Sequence, residues 1–390
     1  MTRIPRLLRA ELLQAAASFP CVVLTGPRRS GKTFLLREAF PEAQWSLLED
    51  PDVLSKARAD PRGFLDSLRL PAILDEIQEA PELLRYVRTR IDHAPEEMGR
   101  WLITGSQEFS LMRGVTESMA GRAAILRLMP FGCEEFQGVS PFLGGFPEVH
   151  RSPAAFGRWF SSYVESYVER DVRAVVNVSD IGLFRRFLAV LATRTGTVLN
   201  RTEIAAPLGI SVKTVSTWLD ALETTGMLLV LQPWYQNAGK RLLKSPRLYF
   251  ADSGLACSLL GIESPAALER SPFLGAVFEG FVAAELAKHR VHHGRRPAVY
   301  WFRDQQGLEV DFVLDAGGGE PILVEAKATH TPMPGDARGI QRLRQALGGA
   351  PDDYVVHRVS PTADAASALV PGVAALSVDA LLRRLGDRGW

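Results

Sequence analysis

The chain has 390 residues, 46% hydrophobic and 23% charged, with a formal net charge of +1. That is the composition of an ordinary soluble globular protein of two or three domains at about 100–200 residues each. It excludes nucleic-acid binding through a global positive field, so any such surface has to be a local patch, and no run reaches the ~18 apolar residues of a membrane span.

Residues 2–18 read as an amphipathic helix. Arg3, Arg6 and Arg9 ahead of apolar residues imitate a signal peptide, but Glu11 and Gln14 interrupt the apolar stretch, so none is expected. Cys21, Cys133 and Cys257 are far apart without metal-ligand spacing, and are expected to be buried, reduced thiols in a cytoplasmic protein. Only seven of the 45 basic residues are lysine, and two of them, Lys32 and Lys327, fall inside motifs.

The apolar run Val22-Val23-Leu24 leads into Gly26-Pro27-Arg28-Arg29-Ser30-Gly31-Lys32-Thr33, and an apolar helical pattern follows. This is the phosphate-binding P-loop pattern in its context of strand, loop and helix. Gly26 and Gly31 let backbone N–H groups face a phosphate, and the helix N-terminus adds partial positive charge. Lys32 would reach the β- and γ-phosphates of ATP, and the Thr33 hydroxyl would ligate Mg²⁺. A second strand is expected at Trp45–Leu48. The strand in Leu70–Gln78 ends in Asp75-Glu76, the Walker B pattern. Asp75 would hold Mg²⁺ through oxygen and Glu76 would orient or deprotonate the attacking water; the alternative for Asp-Glu after a strand is a helix N-cap. A further apolar strand, Trp101–Thr104, ends in Gly105-Ser106, and Gly121-Arg122 precede another, Ala123–Leu126.

Residues 15–140 resemble the AAA-type P-loop ATPases found widely in bacteria and archaea, relatives of the archaeal origin-recognition ATPases. The subgroup joins this module to a C-terminal region long of unknown function. The resemblance implies that Ser106, with Thr104 as second choice, contacts the γ-phosphate or water. It implies that Arg122, or Arg113, is an arginine finger for a neighbouring subunit and hence that the protein is a homo-oligomer; a surface salt bridge is the alternative. Arg170, within Tyr163–Val172, would be a lid arginine or a helix-surface ion pair.

Residues 181–255 read as a winged helix. Ile181–Leu191 has apolar residues at helical spacing. Thr202–Leu208 is a short helix that Pro207 would cut short, Gly209 lies in the turn, and Ser211 caps a recognition helix, Val212–Leu222, with Val215, Leu219 and Leu222 inward and Lys213 available to DNA. Leu228–Leu231 and Leu248–Phe250 would be wing strands. Between them Lys240, Arg241, Lys244 and Arg247, without an acidic residue, suit phosphate contact; the alternative is a packing module with a solvated charge run.

Ser264-Pro265 and Ser271-Pro272 read as a linker. Beyond it, Glu309–Leu314 and Pro321–Lys327 flank Gly317-Gly318-Gly319. A hairpin centred on Gly318 sets Asp311 opposite Glu325, with Lys327 on the same face. This resembles the PD-(D/E)xK nuclease arrangement, which implies that Asp311 and Glu325 hold a metal and Lys327 orients water. A fourth group from the preceding helix would be Glu279 by position in the family pattern, or Glu285 by helical geometry. The alternative is a salt-bridged hairpin.

The expected fold is thus α/β: an AAA-type P-loop domain at 1–150, a helical linker and winged helix at 151–262, and a restriction-endonuclease-like domain at 263–390. The expected function is Mg²⁺-dependent ATP hydrolysis coupled to DNA binding or processing. A nucleotide-gated switch for a protein partner and an ATP-assembled nuclease are the alternatives.

Overall fold

Five short apolar runs of the N-terminal third align as parallel strands: β1 (Cys21–Thr25), β2 (Gln44–Leu47), β3 (Ala72–Asp75), β4 (Trp101–Gly105) and β5 (Ala123–Arg127), in the order β2-β3-β4-β1-β5. The structure is a computed structural model and describes residues 3–105, 119–166, 180–235, 245–317, 319–349, 352–359 and 367–390. Side chains of a strand alternate between faces. Cys21, Val23, Ala72, Leu74 and Ile103 therefore pack into one core with the helix Leu83–His93, while Val22, Leu24, Ile73 and Leu102 pack into another with the helices Arg9–Ser18 and Lys32–Ala39. A sheet covered on both faces needs no polar alternation, and β1, β3 and β4 are buried throughout. The N-terminal helix is shorter than the 2–18 expected: it spans Arg9–Ser18, turning Leu12 and Ala16 inward.

The middle of the chain follows the expected helix, turn, helix order. Asp180 accepts from the Leu183 amide and opens the helix Ile181–Ala192, which buries Phe184, Phe187, Leu188 and Leu191. Pro207 shortens the next helix to Arg201–Ala205, followed by a 3-10 turn. Gly209 takes φ 65°, and Ser211 caps Val212–Thr224 by accepting from the Thr214 amide. Val215, Leu219 and Leu222 point inward. Strands β6 (Thr197–Val198), β7 (Leu228–Leu231) and β8 (Arg247–Phe250) form an antiparallel sheet in the order β6-β8-β7.

The expected linker is in part regular structure. Ser264 caps a short helix, Pro265–Glu269, with the proline at its first turn, and Leu268 is buried. Next comes the long helix Leu274–His292, buried at almost every position from Val277 on. It packs on a six-stranded sheet of β9 (Val299–Arg303), β10 (Glu309–Leu314), β11 (Ile322–Lys327), β12 (Asp353–His357), β13 (Ser367–Val370) and β14 (Val373–Leu376), ordered β13-β14-β12-β11-β10-β9. β9, β10 and β11 are an antiparallel meander, and β11, β12 and β14 run parallel. One apolar core joins Met129, Phe131 and Val139, then Leu229, Leu231 and Tyr249, to Phe278, Phe312 and Val324. Apolar packing is thus continuous across positions 150 and 262. Among the described residues no helix is long and apolar enough to cross a membrane.

Candidate functional site

β1 and β3 end at the same edge of the parallel sheet, because both are in register with β4. The P-loop leaves β1 there. Gly26 takes φ 144°, and a Cβ on it would lie 2.0 Å from the Leu128 carbonyl oxygen, so only glycine fits. Arg29, at φ 62°, and Gly31, at φ 95°, also take left-handed backbone, which curls the loop. The Lys32 ammonium, 5% exposed, donates to the Gly26 and Pro27 carbonyls at 3.0 Å each. The Ser30 hydroxyl is buried in the loop without a hydrogen-bond partner among the described residues. The Ser30 hydroxyl is a group that an incoming phosphate oxygen would satisfy.

Asp75 is the centre of the edge. It is 1% exposed and accepts from the Thr33 hydroxyl at 3.0 Å, from Trp45 Nε1 at 3.0 Å, and from the Thr104 hydroxyl. These donors are neutral, and no ion pair reaches Asp75 among the described residues. A buried carboxylate without a cation is costly, and with the Thr33 oxygen beside it the donor set suits Mg²⁺. Glu76 follows in the left-handed region at φ 58°, a conformation that costs about 1–3 kcal/mol and gathers at functional sites. Its amide donates to the Thr104 hydroxyl at 3.0 Å, and its carboxylate accepts from Gln78 Nε2. The N-cap alternative does not describe this pair, since neither side chain caps the following 3-10 turn.

Arg122 is elsewhere. It precedes Ala123, which pairs with Cys21 at the opposite end of β1, about 16 Å along the strands from the loop. There it meets Asp92 and the Ala120 carbonyl. Ser106, Arg113 and Arg170 lie outside the described residues, as do Lys240, Arg241 and Lys244.

Arg6 was not anticipated. Ahead of the first helix and 5% exposed, it donates to the Ser30 carbonyl at 2.7 Å, the Met129 carbonyl at 2.6 Å and Glu135 Oε1 at 3.0 Å. Glu135 lies 3.5 Å from His292 Nδ1 at the end of the long helix. Burial pushes the His292 imidazole down to about 3, so it stays neutral. Against burial, the Arg6 guanidinium and the Leu7 amide, both hydrogen-bonded to Glu135, hold its carboxyl below the usual range. The P-loop is thereby tied to the C-terminal half by a buried polar chain that no sequence pattern signals.

In the second constellation the hairpin register is the one expected: Phe312 pairs Val324 and Leu314 pairs Ile322. Lys327 Nζ is 3.0 Å from Glu325 Oε2 and 3.9 Å from Asp311 Oδ2, and the Ala326 amide donates to Asp311. Burial, then the Asp311 charge, pushes the Glu325 carboxyl up to about 9. Asp311 stays below the usual range despite burial, because Glu325 hydrogen-bonds to it and Lys327 and Arg247 face it. An open cleft of about 330 Å³ is lined by Asp311, Glu325, Lys327, Arg338 and Arg342. Of the two helix candidates, Glu279 joins this cluster, while Glu285 is 2.8 Å from Lys288 and accepts from the Cys133 amide.

Arg247 requires a correction. Expected at a basic wing facing DNA, it is 5% exposed and turned inward. Its Nη1 donates to Glu279 at 2.8 Å and to Asp311 at 3.3 Å, its Nη2 meets Glu309, and its guanidinium lies over the Trp301 ring. β8 runs into the interior here, so Arg247 is unavailable to a phosphate. Of the expected DNA contacts only Lys213 is described as exposed. Among the described residues no group of three or more His, Cys, Asp or Glu is placed to hold a metal ion. The residues around Asp311 do not fit one, because the Arg247 guanidinium and the Lys327 ammonium already face that carboxylate.

Three family models match the chain: an AAA domain at residues 18–137, a domain of unknown function (DUF8612) at 141–266 and another (DUF4143) at 274–367. Among solved structures, the Walker-type ATPase PABY2304 of Pyrococcus abyssi is similar at 16% identity and TM-score 0.42, over 65% of this chain and 94% of that one. AMPPCP-bound DnaA from Aquifex aeolicus is similar at 14% identity and TM-score 0.27, over 56% and 86%. Both likenesses are distant. Uncharacterized proteins Mb2031c of Mycobacterium bovis (strain ATCC BAA-935 / AF2122/97) and Rv2008c of Mycobacterium tuberculosis (strain ATCC 25618 / H37Rv) are each 34% identical over 332 residues, 83% of this chain and 74% of theirs. The chain carries an AAA-type ATPase domain and belongs to the same family as these two mycobacterial proteins.

Proposed function

We propose that the chain binds and hydrolyses ATP with Mg²⁺, and that it couples this to DNA. The observation that carries the reading is Asp75: a buried carboxylate with neutral donors, bonded to the Thr33 hydroxyl at the mouth of a P-loop that holds the Lys32 charge and a buried Ser30 hydroxyl without a partner among the described residues. Gly26 to Thr33 hold the phosphates, Lys32 counters their charge, and Thr33 and Asp75 hold the Mg²⁺. When bound, the ion neutralises charge between the β- and γ-phosphates. Glu76 takes the proton of the attacking water, and Thr104, whose hydroxyl links Asp75 to the Glu76 amide, fixes the angle between them. Ser106 would be the polar contact beyond Thr104. Arg122, ion-paired to Asp92 at the far edge of its own sheet, would in this reading serve a neighbour's γ-phosphate, and the reading then includes a homo-oligomer. The chain would act in the cytoplasm, where its free cysteines stay reduced.

The DNA half of the reading rests on the Ser211-capped helix with exposed Lys213 in a winged-helix-like unit, and on the basic residues Lys240, Arg241 and Lys244 in sequence. In this reading Arg338 and Arg342, at the cleft, would offer the restriction-endonuclease-like part a second contact to phosphate. The domains of this reading are those of the sequence: 1–150, 151–262 and 263–390. The test is the ATPase rate of the full chain with and without single- or double-stranded DNA, while the DNA is watched for cleavage. The expected result is a rate raised several-fold, with the DNA intact. A rate indifferent to both DNAs would remove DNA from the reading, in favour of a nucleotide-gated switch for a protein partner. Cleavage would favour the nuclease effector.

A further inference from the structure

The acidic cluster of the C-terminal sheet holds its own cation. Four carboxylates converge on one end of the meander: Glu279 from the long helix, Glu309 and Asp311 from β10, and Glu325 from β11. Such a cluster normally demands a bound metal, because desolvated like charges repel. Here three side-chain cations meet it. Arg247 bridges Glu279, Glu309 and Asp311; Lys327 pairs with Glu325 and Asp311; Arg303 lies 3.7 Å from Glu309.

The position of one atom decides what Arg247 is doing. Nη1 is shared by Glu279 and Asp311, at 2.8 and 3.3 Å, which is where an ion bridging two acids would stand. The guanidinium is fixed from the other side by the Trp301 ring, 4.8 Å from its carbon, and the Tyr249 hydroxyl donates to Glu279. It arrives from β8, outside the sheet that carries the acids, so the cluster is closed by a neighbouring element. A further helix, Arg338–Leu347, packs tightly on the hairpin: a Cβ on Gly339 would lie 2.5 Å from the Glu309 carbonyl and 2.9 Å from Glu325 Oε1.

We infer that Arg247 occupies the place of a divalent cation in this carboxylate cluster, which therefore takes no metal while Arg247 is there and is not a metal-dependent cutting centre. The inference is independent of the ATPase reading, since no atom of the P-loop enters it. The test is Mn²⁺ binding counted by electron paramagnetic resonance on the nucleotide-free full chain. An Asp75→Asn background silences the nucleotide site's own metal. With Arg247 present, no Mn²⁺ is expected to bind. Arg247→Gln is expected to gain one Mn²⁺ per chain, lost again when Asp311→Asn is added. Mn²⁺ bound with Arg247 present and lost on Asp311→Asn would overturn the inference, and this arm needs no Arg247 variant to fold. An Arg247→Gln chain that is folded by circular dichroism but binds no Mn²⁺ would overturn it equally.

Discussion

Replacing Lys32 with alanine is expected to weaken ATP binding by up to about 100-fold. The ammonium is 5% exposed and fixed at 3.0 Å from two loop carbonyls, so it is already desolvated and aimed before any phosphate arrives. A charge-assisted hydrogen bond contributes up to about 3 kcal/mol, and each ~1.4 kcal/mol is tenfold in affinity. The variant should keep the fold, because truncation removes a donor from two carbonyls that water can reach once the side chain is gone. Titration of ATP into wild type and Lys32→Ala measures the effect. Equal affinities would take Lys32 out of phosphate binding.

Arg6→Ala should have the largest effect on stability of any single change near the nucleotide edge. The side chain satisfies two carbonyls and pairs with Glu135, whose own side chain is completely inaccessible. Removing one partner of a buried pair costs about 3–5 kcal/mol, which lowers the melting temperature by roughly 10 °C for a unit of 150–250 residues. The same change frees the Ser30 carbonyl, so ATP affinity should fall together with stability. Arg6→Lys keeps the charge but cannot reach three acceptors at once, and should show an intermediate loss of both. A melting temperature within about 1 °C of wild type for Arg6→Ala would show that the three bonds contribute nothing net.

The nucleotide edge was legible in the sequence because its geometry is written into consecutive residues. Gly26 to Thr33 fix the loop by their own backbone, and Asp75-Glu76 follow an apolar strand directly. The hairpin was legible for a similar reason: three glycines mark its centre, and a period of two then fixes which residues face each other. The cation inside the acidic cluster was not. Arg247 follows a basic stretch and reads as one more wing residue; only the three-dimensional course of β8, running inward beside the long helix, turns it toward Glu279 and Asp311. Helical periodicity could not separate Glu279 from Glu285 either, because the long helix is buried nearly all round and has no polar face to orient it. What separates them is the partner each acid finds, Arg247 for Glu279 and Lys288 for Glu285. Arg6 lies 24 residues before the Ser30 carbonyl that it holds, and such a contact has no local signal.

The most direct measurement of the central claim is a single-turnover assay on wild type and Glu76→Gln with radiolabelled ATP and Mg²⁺. Glu76 sits beside the Asp75–Thr33–Thr104 cluster in a left-handed backbone conformation, which holds its side chain at the strand edge. The amide keeps the shape and loses the base, and general-base assistance contributes ~10²–10⁴-fold. Wild type is expected to release phosphate, while Glu76→Gln binds ATP as tightly and keeps it unhydrolysed. Hydrolysis at the wild-type rate in Glu76→Gln, or no ATP bound by wild type, would contradict the account.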